Sequence, residues 1–332
     1  MQVKKELPKV HILATGGTIA GKANDVLNTS HYQAGMVPVT DLTSAVPGLA
    51  NIAQVSAEQV MNVPSSAITP ENLLSLVGRV DELLRQDEGL SGIVITHGTD
   101  TMEESAYFAH LMVKHRRPVV FVGAMRPATA LSADGPINLA NAVRVAASKL
   151  SRGQGVLVLM NDEIFSARDV SKTNTARLHT FRSPDLGPLG FVDGGEVSYY
   201  HTPLKRHTFM SEFDLQSIRL LPRVDIIYSY TGADRVLVEA IARTGARGLV
   251  LAGSGAGSIH RDALAALREL QSAGIAVVRS SRTGGGRILA WPDSPCDLTA
   301  DNLNAQKARI LLSLALTQTT DLNELRRIFG EY

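Results

Sequence analysis

The chain has 332 residues, with 33 Lys plus Arg against 32 Asp plus Glu, so its formal net charge is +1. At 44% hydrophobic and 20% charged it has a globular composition, without the basic surplus that a non-specific nucleic-acid binder needs. No run approaches the roughly 20 apolar residues of a membrane helix, and the single cysteine, Cys296, excludes an intrachain disulfide or a Cys₄ zinc site.

The N-terminus MQVKKELPKV leads straight into a strand-like run without a signal-type apolar segment. That reading puts the chain as written in the cytoplasm, or in the periplasm if a leader was removed. Near-continuous apolar runs follow at 10–14, 92–95, 118–122 and 155–160, and again at 224–228, 248–252 and 275–278. Such runs suit strands buried on both faces of a parallel sheet. Helical patterns alternate with them. Thr69-Pro70-Glu71 predicts an N-cap, a first-position proline and an acidic first turn before Leu73, Leu76, Val77, Val80 and Leu84. Thr101 and Glu104 predict a capping box, and residues 262–273 predict a helix stopped at Gly274. Asp193-Gly194-Gly195 predicts a β-hairpin. The expected fold class is therefore α/β, with two α/β domains and mainly parallel sheets. The expected division is an N-terminal domain at 1–200, a connector at 201–223 and a C-terminal domain at 224–332.

Three segments carry candidate chemistry. The first strand runs into Thr15-Gly16-Gly17-Thr18-Ile19-Ala20-Gly21-Lys22-Ala23. Gly16, Gly21 and Lys22 fit most of a phosphate-binding loop, but Ala23 lacks the hydroxyl that would hold Mg²⁺, and no convincing acidic partner strand follows. The same segment can present Thr15 as a nucleophile, with glycine N–H groups nearby for an oxyanion. A third possibility is a plain turn. Residues 22–35 are polar and read as a mobile lid that carries Tyr32.

A second strand ends in Thr96-His97-Gly98-Thr99-Asp100-Thr101. Strand ends on the carboxyl side of an open parallel sheet are where ligands bind. Thr15 and Thr99 therefore have the means to face one crevice. Asp100 can hold an ammonium group or cap the following helix, and His97 reads as either a base or a packed residue. The third piece is Lys172, read on the loop that follows the strand at 155–160. A threonine hydroxyl needs a base, and a lysine serves only if its pKa falls well below about 10.4. Thr99, Lys172 and Asp100 would then be a triad analogue with lysine in place of histidine.

ATGGTIAG at 14–21 and THGTDTMEESAYF at 96–108 resemble the two signatures of the bacterial type II L-asparaginases and glutaminase-asparaginases. VGAMRP, SADGP-x-NL, KTNT and NLNAQKARILLSLALTQT are similar to further segments of that family, in order along the whole chain. The resemblance implies an amidohydrolase converting L-asparagine to L-aspartate and ammonia, with glutaminase side activity, and needing neither metal nor cofactor. It implies a homotetramer with sites shared between subunits, and no nucleic-acid or membrane partner. It assigns Thr15 as nucleophile, Tyr32 as its assistant, and Thr99, Asp100 and Lys172 as the second triad. Substrate would be met by Gly16, Ser65, Ser66, Gly98, Thr99, Asp100 and Ala124. Ser66 stands where many members carry Gln or Glu. Ser258 falls where some carry an Asn contact, and Asp293 or Asp297 where a glutamate is expected. Besides the nucleotide-binding reading, a non-catalytic amino-acid sensor is an alternative. A tRNA-dependent amidotransferase subunit would need an additional N-terminal module.

Overall fold

The computed structural model of the chain describes residues 6–27, 29, 32–290 and 298–332. It divides into two compact units, Met1–Ser211 and Glu212–Tyr332.

The first unit holds strands β1 (Lys9–Ala14), β2 (Gln54–Gln59), β3 (Leu90–Thr96), β4 (Val119–Val122), β5 (Val156–Met160), β6 (Glu163–Ser166), β7 (Ser171–Lys172), β8 (Phe181–Arg182), β9 (Gly190–Asp193) and β10 (Glu196–Tyr199). Its helices are α1 (Val39–Ser44), α2 (Pro70–Gln86), α3 (Met102–Met112) and α4 (Gly135–Ala147). The main sheet has the order β10-β9-β6-β5-β4-β3-β1-β2. From β2 to β5 every pairing is parallel, and from β5 outward every pairing is antiparallel. The apolar runs become β1, β3, β4 and β5, buried on both faces. Val10, Ile12, Val94, Val120, Val122, Leu157 and Leu159 meet α1 and α4 in one cluster. The alternate residues Leu13, Ile93, Ile95, Phe121 and Val158 are equally buried, on the side opposite that cluster, as the two-residue period of a strand requires. Each such side chain contributes roughly 1.5–3 kcal/mol by leaving water.

Local signals explain most element ends. Thr69 Oγ1 accepts from Asn72 N while Asn72 Oδ1 accepts from Thr69 N, so α2 begins with a reciprocal capping box, a cap type typically worth about 1 kcal/mol. Gly194 and Gly195, at φ 57° and 88°, close the β9–β10 hairpin with Asp193 opposite Glu196. That is the left-handed geometry a tight hairpin demands. The expected capping box at Thr101 does not form, because the Thr101 side chain makes no cap bond and its hydroxyl donates instead to Ser65 O at 2.7 Å. Asn161 and Asp162 are a hairpin turn rather than the start of a loop. Both have positive φ and join β5 to antiparallel β6. Lys172 is reached only after β6, on the short ribbon β7–β8.

In the second unit β11 (Val224–Tyr228), β12 (Gly248–Gly253), β13 (Ala276–Ser281) and β14 (Leu298–Thr299) form a parallel sheet in sequence order. Helices α5 (Val236–Ile241) and α6 (Arg261–Ser272) pack Val238, Ile241, Ala266, Leu267 and Leu270 onto Leu249, Leu251 and Val277. Helix α7 (Ala305–Ala315) packs on β11 to β13, and α8 (Leu322–Glu331) packs on β14 and α7. Gly274, at φ 83°, follows α6 as expected. No helix among the described residues is long and apolar enough to cross a membrane.

Candidate active site

The strand order β2-β1-β3-β4-β5 reverses direction between β1 and β3. The chain leaves β1 toward one edge and β3 toward the other, and their carboxyl ends flank a crevice at that switch point. Ala14 and Thr96 are paired at the last register of the two strands. Both threonine-bearing turns therefore emerge side by side.

Thr15 is 1% exposed and its Oγ1 donates to Thr96 O at 2.8 Å. Gly16 and Gly17 follow at φ 100° and 83°. A Cβ on Gly17 would overlap the Gly98 backbone, so the two turns touch through glycine. Beyond them Thr18–Ala20 form one 3₁₀ turn, and Lys22 pairs with Gln33 in an antiparallel bridge. A phosphate-binding loop would instead open a full helix whose N–H groups face the anion. Ala23 N and O both meet Thr129 Oγ1. The nucleotide-binding reading is corrected on these grounds. Tyr32, half-buried, lies over Gly21, and its hydroxyl pairs with Thr18 Oγ1 at 2.6 Å.

At the second turn Lys172 Nζ donates to Thr99 Oγ1 at 2.9 Å and to Asp100 Oδ1 at 2.6 Å. Thr99 is buried, while the Asp100 side chain is 69% exposed against 16% for Lys172. Asp100 is committed to the lysine rather than to a cap on α3. His97 is fully buried, and its Nδ1 donates to Gly98 O at 2.7 Å. Burial pushes its pKa down to about 4. An imidazole enclosed in this way is a packing residue.

Ser65 is buried in the 3₁₀ turn Ser65–Ala67, and a Cβ on Gly98 would fall 2.7 Å from its Oγ. Ser66, next in the turn, is exposed. Ala124 is fully buried just past β4, and the preceding Gly123 abuts the Thr99 methyl. Asp134 fixes this wall by accepting Met125 N and Arg126 N, each at 2.9 Å, and Asn138 Nδ2 donates to Gly123 O. Thr15, Gly16, Tyr32, Ser65, Ser66, Gly98, Thr99, Asp100, Ala124 and Lys172 all belong to the first unit. Ser258 belongs to the second, in a turn closed by mutual backbone bonds with Ser254. Asp293, Cys296 and Asp297 lie outside the described residues.

Sequence reasoning missed Thr18, Thr101, Glu103 and Asp134 as supports of these groups. The only signal for Thr101 and Glu103 was their place at a helix start, where threonine and glutamate ordinarily mean capping. Asp134 sat within SADGP, with no nearby partner in sequence.

Fold and site together define a two-unit α/β protein with a hydroxyl–amine–carboxylate cluster at the switch point of its larger sheet. Residues 9–205 match the family model "Asparaginase, N-terminal", and residues 223–329 match "Glutaminase/Asparaginase C-terminal domain". The chain is 48% identical to a glutaminase-asparaginase of Pseudomonas fluorescens biotype A over 100% of its own length and 92% of the relative's. It is 45% identical to L-asparaginase 2 of Escherichia coli strain K12, covering 98% and 94%. A crystal structure titled as a probable cytoplasmic L-asparaginase from Campylobacter jejuni superposes with a TM-score of 0.94 at 45% identity, covering 98% of this chain and 100% of that one. The chain belongs to the asparaginase family.

Proposed function

We propose that this protein hydrolyses L-asparagine to L-aspartate and ammonia, with L-glutamine as a secondary substrate. The observation that carries the reading is the Thr99–Lys172–Asp100 cluster beside the buried Thr15 turn. A zwitterionic substrate is matched by the Asp100 carboxylate at its ammonium group and by polar donors around Ser65 at its carboxylate. Held so, its side-chain amide lies by Thr15, and proximity supplies a large part of the acceleration.

Thr15 Oγ1 forms a bond to the amide carbon, and the hydroxyl proton passes by way of the Tyr32–Thr18 pair to the departing nitrogen. The C–N bond breaks, ammonia leaves, and an acyl-threonine remains. The carbonyl oxygen, negative in between, is met by N–H groups of the glycine turns and the Ala124 wall. Lys172, with Thr99 as relay, then takes a proton from water. Water oxygen bonds to the acyl carbon, the Thr15 ester opens, and the proton returns to Thr15. One water is consumed per amide. Mutual support within the triad follows the logic by which a base is oriented by a third group.

We further propose a homotetramer in which a neighbour's C-terminal unit completes each site. The exposure of Asp100 in the single chain supports this, since a charge-pairing carboxylate gains strength when water is excluded. Sizing by light scattering tests it, and a monomer that turns over normally removes it.

The activity is tested by ammonia release from L-asparagine, L-glutamine and their D-isomers. Thr15→Ala is expected to lower kcat by about 10³-fold or more with an unchanged circular dichroism spectrum. Near-normal turnover in that variant ends the assignment of Thr15.

A further inference from the structure

Lys172 enters the cluster from a different element than Thr99 and Asp100. It lies on a ribbon of two residues per strand, outside the main sheet, with Ser171 opposite Arg182 and Lys172 opposite Phe181. Its side chain is a flexible four-carbon stem with roughly 2 kcal/mol of rotamer entropy to lose. Holding Nζ within hydrogen-bond reach of Thr99 therefore requires the main chain of Lys172 to be fixed first.

The fixing group comes from α3. Glu103, 5% exposed in the first turn of that helix, accepts the Lys172 backbone N–H on Oε2 at 2.9 Å. Thr99 and Asp100 lie four and three residues before Glu103 and hold the other end of the same lysine. One short stretch of chain, 99–103, thus grips Lys172 at Nζ and at its peptide nitrogen.

We propose that Glu103 is a positioning residue for the reaction: its carboxylate oxygen sets the place of the Lys172 main chain, and so the distance from Nζ to Thr99 Oγ1. The inference rests on the reading of Lys172 as the proton acceptor. What matters is an acceptor oxygen at that reach, not the charge. An amide oxygen at the same distance does the work, and a carboxylate one methylene shorter does not. A buried carboxylate at a helix start has a purely structural use as well, because it complements the helix dipole. The test therefore includes a readout that such a role would not move.

The experiment is a double-mutant cycle on the full chain, read as kcat and KM for L-asparagine with melting temperature and circular dichroism as folding controls. Glu103→Ala is expected to lower kcat about 10²-fold, the scale of a misplacement near 1 Å, with KM changed by less than about threefold. Glu103→Gln is expected to stay within about fivefold of wild type, and Glu103→Asp to resemble the alanine variant. If the alanine variant does not fold, the Gln and Asp pair carries the test alone. In a Lys172→Met background the further change to Glu103→Ala is expected to cost less than about twofold, since the residue through which Glu103 acts is gone.

Equal losses from Glu103→Ala in both backgrounds overturn the proposal, as does a Glu103→Asp variant more active than Glu103→Gln. Wild-type turnover in Lys172→Met removes the base assignment and this inference with it. An inactive Lys172→Met beside a fully active Glu103→Ala removes this inference alone.

Discussion

Lowering the pH should destabilise this protein through His97. His97 sits at the end of β3 with no exposed surface, its ring centroid 5.7 Å from that of Phe121. Nδ1 spends its proton on Gly98 O, and Nε2 is buried without a hydrogen-bond partner among the described residues. Protonating Nε2 would place a charge in a fully buried site, and burial accordingly pushes the pKa from 6.5 down to about 4. The sign follows from proton uptake. Between pH 6.5 and 4 the unfolded chain binds a proton at His97 that the folded chain refuses. The stabilisation is complete above pH 6.5 and is lost as the pH falls to 4. A gap of about 2.5 units at 1.36 kcal/mol each amounts to about 3 kcal/mol. His207, also pushed to about 4 by burial, loses stability over the same window, so the measurement must isolate His97. The assay is denaturant unfolding at pH 7 and pH 4 for wild type and His97→Gln. The variant's stability should vary with pH by about 3 kcal/mol less than that of wild type. A histidine titration followed by NMR in the folded protein gives the direct check. A His97 resonance titrating at or above pH 6.5 would refute the burial argument and return His97 to the list of candidate bases.

Three further changes probe the turns around the site. Ser66→Glu puts a long acidic group on an exposed position of the Ser65–Ala67 turn. It is expected to raise the ratio of kcat/KM for glutamine over asparagine about tenfold, and an unchanged ratio removes Ser66 from specificity. Gly17→Ala and Gly98→Ala should fail differently. At Gly17 the new methyl meets backbone, at φ 83° and ψ −170°, and should cost more than about 2 kcal/mol of stability, read as a fall in melting temperature. At Gly98 it meets Ser65 Oγ and Cβ at 2.7 and 2.8 Å, a clash that only a shift of the Ser65–Ala67 turn relieves, so KM for asparagine should rise together with a fall in melting temperature. An unchanged KM in Gly98→Ala would sink the placing of Ser65 at the substrate.

Much of this protein was legible in its sequence because the information was local. Doubly buried strands advertise themselves as continuous apolar runs, and β1, β3, β4 and β5 lie where those runs are. Thr69-Pro70 and Gly194-Gly195 each specify a cap or a turn by their own dihedral preferences. Edge strand β2 escaped notice because QVSAEQ is mostly exposed and pairs only with β1. Strand β6 escaped because Asn161 and Asp162 read equally well as a loop. The residue types of the site, a threonine after each of two strand ends and a lysine further on, were also visible.

Their convergence was decided by tertiary structure. Thr15 and Thr96 are 81 positions apart in the chain and are joined by two hydrogen bonds, from Thr15 N and Oγ1 to Thr96 O, because β3 rather than β2 follows β1 across the switch point. Lys172 reaches Thr99 across 73 positions only after the β5–β6 reversal and a two-residue ribbon. Thr101 and Glu103 turn away from capping toward Ser65 and Lys172, since the nearest partner in space outcompetes the nearest in sequence. A side chain's vocabulary of bonds is written in its chemistry, but which bond it makes depends on what the folded chain brings within about 3 Å.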